Sequence, residues 1–434
     1  MKYFGSSGIR AVFHQDLLTL AFRVGLAVGG RSRSVVVGRD TRTSGDAMKH
    51  AVISGLLAAG AECCDAGVVP TPTLAFAARD FEAGVMLTAS HNPPEYNGIK
   101  LLNPDGASFD AAQQAEIEEK LAEASLPAAA WGDVKPCRAD DGAVERHIAG
   151  IMSRFPHKKL KLKVVVDAGG GAASLVTPRL LKELGIEVVS LNCTPTGFFP
   201  RAVEPTEDNL EALKKAVKDA KADFGIAHDG DADRLMAVDE LGRYISGDKL
   251  LAILGHALKA EEVVTTLDAS MVIDEMKWRV RRTRIGDTYV SEALQKGGDF
   301  GGETSGAWIF PGLSLCPDGI YAAAQLASIA SRQKLSVVAD SVPVYPLRRG
   351  SVPGDGAAMK QIESGLMALA PLVVSRLDGL KLGFADGWLL VRPSGTEPKI
   401  RLTAEARSEA RAGQLYDKAL RIIEDSVETG VKAG

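Results

Sequence analysis

Thr88-Ala89-Ser90-His91-Asn92-Pro93-Pro94 sets a hydroxyl beside an imidazole, and Lys100 adds an ammonium ten residues after the serine. Gly84-Val85-Met86-Leu87 leads into this stretch as a short buried strand. The tandem prolines forbid a helix and stiffen the loop. A hydroxyl held by a stiff loop at a strand end suits a nucleophile or a phosphate carrier. A polar surface turn is the plain alternative.

His228-Asp229-Gly230-Asp231-Ala232-Asp233-Arg234 carries three carboxylates at alternate positions on a glycine-containing turn. Ionised and uncompensated, they repel one another. A hard divalent cation bound by oxygens resolves that conflict, and Mg2+ is the usual one beside phosphates. A calcium loop of the helix–loop–helix type reads similarly, and Glu240 falls at its twelfth position. Its sixth position needs glycine, however, and holds Arg234, while Leu235-Met236-Ala237-Val238 continues as an apolar strand. An aspartate-nucleophile phosphatase and a solvated acidic turn are the other readings.

Gly301-Gly302-Glu303-Thr304-Ser305-Gly306 surrounds a carboxylate and a hydroxyl with glycines. Glu303 suits two sugar hydroxyls and Ser305 can donate or accept, although a tight turn alone would read the same way. Arg392-Pro393-Ser394-Gly395-Thr396-Glu397-Pro398-Lys399-Ile400-Arg401 combines two hydroxyls, a permissive glycine and flanking cations. Such a run suits an anion nest with Arg392 and Arg401 as clamps, or else a charged β-turn. Together the four stretches point to phosphoryl transfer on a phosphosugar.

Positioning these groups takes a large chain. The 434 residues predict three or four domains. Hydrophobic residues make up 46%, and the net charge is −4 without a basic block. Nucleic acid and anionic membrane are therefore poor partners, and no apolar run reaches the length of a membrane span. Met1-Lys2-Tyr3-Phe4-Gly5 lacks the apolar core of a signal peptide, so a cytoplasmic location is expected. Gly5-Ser6-Ser7-Gly8-Ile9-Arg10 reads as a glycine-hinged loop ending in a cation. The five cysteines form no CxxC and predict neither a disulfide framework nor a zinc site.

Along the chain, Ser34–Gly38 reads as a strand followed by Arg39-Asp40-Thr41-Arg42 and a helix over 46–59. A further strand region ends at Pro70-Thr71-Pro72. A helix over 110–124 precedes a connector that runs to Pro136. The pattern restarts at the strand Leu162–Val166 and again near Glu262–Leu267. Strand, polar turn and helix thus recur near residues 35, 164 and 263. The fold class expected is α/β: three tandem similar α/β domains with mixed sheets plus a C-terminal α+β domain, around a central cleft. The expected domains are 1–143, 144–248, 249–345 and 346–434. The last carries a hairpin over 380–392 and a long helix over 408–429.

TASHNP, DGDADR, GGExSG and RPSGTEP, in this order and spacing, resemble the α-D-phosphohexomutase family over essentially the whole chain. The resemblance implies that Ser90 is carried as phosphoserine, and that one Mg2+ per chain is held by Asp229, Asp231, Asp233 and a phosphoserine oxygen. It implies a hexose phosphate substrate, a sugar bisphosphate intermediate, and a monomer or homodimer. Arg10 and Arg234 would join Ser90, His91 and Lys100 in catalysis, with Lys100 favoured as base. Glu303 and Ser305 would hold sugar hydroxyls, and Arg392, Ser394, Gly395, Thr396 and Arg401 the phosphate that is not reacting. Within the family the sugar loop and the clamp are most similar to those of phosphoglucosamine mutases, with glucose and mannose phosphates as the alternative substrates. Many members carry His where this chain has Ala307.

Overall fold

The computed structural model describes residues 3–5, 8–156, 159–394 and 398–433. Four sheets of seven, five, five and five strands are present among them. Residues 1–263 with 286–341 pack as one compact body, and 264–285 with 342–434 as a second.

The β-branched run Val35-Val36-Val37 lies on an interior strand of the first sheet and is fully buried. A strand covered on both faces needs apolar residues without alternation, and such strands are usually parallel. Ser34–Arg39 accordingly runs parallel to Glu62–Val68 on one side and Ala83–Leu87 on the other. Beyond Leu87 the direction reverses. Tyr96–Leu102 pairs antiparallel with Ala83–Leu87, and Gly8–Val12 antiparallel with Tyr96–Leu102. Cys137–Ala139 closes the far edge, parallel to Glu62–Val68. The helices Gln15–Gly29 and Gly45–Ala58 bury Leu17, Val24, Met48 and Leu56 against this sheet.

The second sheet repeats the plan. Lys163–Asp167 lies parallel to Glu187–Leu191 and to Phe224–His228. Leu235–Asp239 then turns back antiparallel to Phe224–His228, with Leu235 opposite His228. In the third, Phe300–Glu303 pairs antiparallel with Ala307–Phe310, which pairs with Ser314–Pro317.

The second body holds an all-antiparallel sheet over Leu347–Pro353, Lys399–Ala406, Gly387–Pro393, Leu380–Phe384 and Val373–Ser375. The long helix Glu409–Ala433 lays Leu415, Ala419 and Ile423 on it, at the four-residue spacing of one helical face.

One regularity ties the sheets to the motifs. Three motif loops join two antiparallel neighbours, 88–95, 229–234 and 304–306, and the fourth motif begins on the strand Gly387–Pro393, whose antiparallel neighbour is Lys399–Ala406. The parallel strands take helical crossovers, which leaves the short, tightly held strand-to-strand links for chemistry. Among the described residues no helix is long and apolar enough to cross a membrane.

Candidate active site

Ser90 is buried and stands in the left-handed region at φ 49°. That conformation is unfavourable for a side chain with a Cβ and persists only when its surroundings impose it. They do so through Arg42, whose side chain is wholly buried. Its Nε donates to Asp40 Oδ2 at 3.0 Å. Its two terminal nitrogens donate to the carbonyls of Ser90 (2.9 Å), Asn92 (2.7 Å), Pro93 (2.6 Å) and Tyr96 (2.8 Å). The guanidinium thus spends all five of its N–H donors on one loop and its support. Asp40 also accepts from Thr88 Oγ1 at 2.7 Å, and Thr88 Oγ1 accepts from the Ser90 amide at 2.8 Å.

The geometry aims the serine at the aspartates. Ser90 Oγ donates to Asp229 Oδ2 at 2.7 Å. Gly230 makes the approach possible, since a Cβ there would lie 2.7 Å from the Ser90 carbonyl oxygen. Asp229, Asp231 and Asp233 are all buried, and one oxygen from each falls within 4.8 Å of the others. Lys100 Nζ bridges Asp231 (2.7 Å) and Asp233 (2.6 Å). Thr71 Oγ1 donates to Asp231 Oδ2 at 2.5 Å. Asp231 Oδ1 and Asp233 Oδ1 are buried without a hydrogen-bond partner. Three carboxylates with two orphaned oxygens suit a hard, oxygen-seeking dication.

Electrostatics follow from that crowding. Burial, with Asp233 and Asp231 beside it, pushes the Asp229 carboxyl well above the usual range. Burial also pushes Asp231 up, but the Lys100 ammonium outweighs it and holds Asp231 down. Burial opposes the charge on Lys100 in turn, yet Asp231 and Asp233 keep it an ammonium. In this state, therefore, Lys100 neutralises the carboxylates rather than standing ready to take a proton.

His91 Nδ1 lies 3.4 Å from Ser90 Oγ. Burial, with Arg234 and Arg10 nearby, pushes its pKa down to about 2, so the imidazole is neutral. Arg10 Nη1 donates to Asn92 Oδ1 at 3.1 Å, which sets that guanidinium at the serine loop. The Arg234 amide donates to Asp229 Oδ1 at 3.2 Å, and its Nη1 donates to Glu204 at 2.8 Å. Burial disfavours its charge, but Asp229 and Glu303 hold it well above the ordinary arginine range.

The loop 304–306 is fastened to the same hairpin. Leu235 N donates to Gly306 O at 2.9 Å, Trp308 Nε1 donates to Leu235 O at 2.9 Å, and Arg234 bridges to Ala307. Glu303 is thereby set beside Arg234. Ser305 Oγ is buried and has no protein partner. The first body thus brings together Arg10, Ser90, His91, Lys100, the three aspartates, Arg234, Glu303 and Ser305.

The remaining residues belong to the second body. Arg392 and Arg401 stand directly opposite each other on neighbouring strands. Like charges in that register repel unless an anion is shared between them. Arg392 pairs with Asp378 at 3.5 Å, and Ser394 Oγ is buried without a partner. Gly395 and Thr396 lie outside the described residues.

Sequence reasoning missed Arg42, Asp40, Thr88, Thr71 and Glu204. Arg39-Asp40-Thr41-Arg42 was visible as a polar turn, but nothing in it announces carbonyl partners some fifty residues away.

Models of the phosphoglucomutase/phosphomannomutase family match four successive stretches of the chain. They are α/β/α domain I over residues 1–127, domain II over 145–242, domain III over 246–345 and the C-terminal domain over 354–422. A protein of Methanosarcina acetivorans named "Probable phosphoglucosamine mutase" is 47% identical over 438 residues, covering 99% of this chain and 100% of that protein. A phosphoglucomutase/phosphomannomutase family protein from Burkholderia thailandensis superposes with a TM-score of 0.87 at 27% identity, covering 97% of this chain and 96% of that one. Aspergillus fumigatus N-acetylphosphoglucosamine mutase, solved with GlcNAc-6P and magnesium, shares the fold at a TM-score of 0.60 and 17% identity, covering 98% and 96%.

Replacing Arg42 tests the loop's dependence on it. Arg42→Lys leaves several buried carbonyls without a donor, at a cost of about 3–5 kcal/mol. The expected outcome is a lower urea midpoint, with faster amide exchange concentrated in the peptide over residues 88–97. Unchanged exchange in that peptide contradicts the assignment.

Proposed function

The chain belongs to the phosphoglucomutase/phosphomannomutase family, and from that premise we propose that it interconverts glucosamine 6-phosphate and glucosamine 1-phosphate. The names of relatives such as the Methanosarcina protein support this choice of sugar. What carries the chemistry is the 2.7 Å contact between Ser90 Oγ and Asp229 within a buried cluster of three carboxylates.

Ser90 is the phosphoryl carrier. In the first step the bond between phosphorus and Ser90 Oγ breaks as one forms to the free hydroxyl of the sugar monophosphate, which gives up its proton. The resulting bisphosphate turns over, and its other phosphoryl group passes to Ser90 Oγ, leaving the isomeric monophosphate. Mg2+, when bound by Asp229, Asp231, Asp233 and a phosphoserine oxygen, supplies positive charge to the phosphoryl oxygens. The orphaned oxygens of Asp231 and Asp233 support that ligand set, and the Aspergillus enzyme was solved with magnesium. Arg10 and Arg234 offset charge beside it. Lys100 and His91 are the groups positioned to exchange a proton, with Lys100 the favoured base once a cation takes over its carboxylate partners. Glu303 and Ser305 hold the sugar hydroxyls.

Arg392, Ser394, Gly395, Thr396 and Arg401 tether the phosphate that is not reacting. The cross-strand placement of the two arginines and the unpartnered Ser394 hydroxyl support this clamp. The five cysteines are free, which suits a cytoplasmic enzyme.

The deciding experiment compares glucosamine, glucose and mannose 1-phosphates with the phosphorylated enzyme. The highest kcat/KM is expected for glucosamine 1-phosphate; a clear preference for either of the others moves the substrate to glucose or mannose phosphates. Ser90→Ala is expected to cost at least about three orders of magnitude in kcat and to remove the single phosphate found by peptide mapping. Undiminished activity would leave an aspartate nucleophile as the alternative. Asp231→Asn is expected to weaken Mg2+ binding about tenfold or more by titration calorimetry. Arg401→Ala is expected to raise KM for the monophosphates about tenfold or more, the worth of a charged hydrogen-bond pair; an unchanged KM removes Arg401 from the clamp.

A further inference from the structure

The edge of the first sheet holds two cysteines that neither the mutase chemistry nor the sequence pattern accounts for. Cys137 begins the short outer strand Cys137–Ala139, and its register partner on the parallel neighbour is Cys63. Neighbouring strands lie about 4.7–4.9 Å apart. That spacing falls within the Cα separation of about 4.4–6.8 Å that a disulfide spans. Residues in register present their side chains to the same face, and the neighbouring Cys137 thiol helps hold the Cys63 thiol above its usual range. Cys64, the next residue, faces the other way. Cys63 is buried, with 2% of its surface exposed, whereas Cys137 is exposed.

We infer that Cys63 and Cys137 form a thiol–disulfide site: small-molecule disulfides convert the pair reversibly into a bond across the sheet edge. The exposed Cys137 thiolate attacks one sulfur of the oxidant RSSR and releases RS−, which takes up a proton. Cys63 then loses its proton and attacks the Cys137 sulfur of the mixed disulfide, releasing a second RSH. Two protein thiols are oxidised and one RSSR is reduced to two RSH. Burial, with Cys137 next to it, holds the Cys63 thiol well above its usual range, so Cys137 is the entry point and closure is the slow step.

The bond has a structural consequence. The outer strand has all three of its residues exposed and a single neighbour in the sheet. It carries the chain from the serine-bearing sheet toward the helix Ala143–Met152 and the aspartate-bearing sheet beyond. Oxidation fastens this strand down and closes a loop that contains Thr71, Ser90 and Lys100. In a reducing compartment such a bond is transient, forming under oxidative load and reversing afterwards.

The test uses the full chain with oxidised glutathione, followed by alkylation in denaturant and non-reducing peptide mapping. The expected result is one peptide pair linked through Cys63 and Cys137, reversed by dithiothreitol, with Cys64, Cys193 and Cys316 still alkylated. The melting temperature of the oxidised protein should rise by about 5 °C. Cys137→Ser should show neither the linkage nor the rise. A persistent glutathione adduct on Cys137 with Cys63 alkylated, or a bond through Cys64, overturns the inference. Neither result depends on the mutase reading, since no catalytic residue is involved.

Discussion

Three buried carboxylates on one hairpin turn are the constraint around which the first body is arranged. A buried ion without compensation costs several kcal/mol, so Asp229, Asp231 and Asp233 can persist only where partners reach them. Those partners come from separate stretches of chain: Thr71 at the start of a helix, Ser90 on its loop, and Lys100 within a strand. Each is supplied by the module that holds the serine-bearing sheet, so the electrostatic demand of one module fixes its position against another. The demand is not fully met. Asp231 Oδ1 and Asp233 Oδ1 stay unpartnered, and each such group costs about 1–3 kcal/mol. The fold therefore holds open an affinity for positive charge at the place where a phosphoryl group would bring more negative charge.

Ser90 meets a second constraint, one of backbone geometry. Left-handed φ at a serine costs about 1–3 kcal/mol, and Arg42 offsets it by binding four carbonyls of the same loop. A lysine could not do this, because its donors diverge from one point while the guanidinium presents five in a fixed plane. Phosphoryl transfer needs attacking and leaving oxygens held in line, and small displacements are costly. The burial of Arg42 thus serves positional accuracy as well as stability.

The motifs were legible because their chemistry requires particular residue types within a few positions, as in the seven residues from His228 to Arg234. The apolar runs Val35–Val37 and Val164–Val166 and the hairpin over 380–392 were legible for the ordinary reason that burial imposes a pattern. The strand Tyr96–Leu102 was not. Asn97, Gly98 and Lys100 interrupt its apolar rhythm, and each interruption has a reason. Gly98 is needed where a Cβ would lie 2.1 Å from Ile9 O, Asn97 hydrogen-bonds Ser44, and Lys100 reaches the aspartates. Local pattern fails here because the site overrides it. Arg42 escaped for a different reason. Its acceptors are backbone carbonyls, which every residue has, so no side-chain signature marks them.

The second body sets two arginines opposite each other on neighbouring strands. Asp378 accepts from the Ile285 amide at 3.1 Å and pairs with Arg392, whose register partner is Arg401. The segment 264–285 is held to this sheet at several further points. Lys381 Nζ donates to Leu267 O at 2.5 Å, Met271 N to Glu405 at 2.7 Å, and Arg284 Nε to Leu377 O at 3.0 Å. By sequence these residues fall within the third family domain, yet they pack with the fourth. The second body is accordingly built from two separate stretches of chain, 264–285 and 342–434.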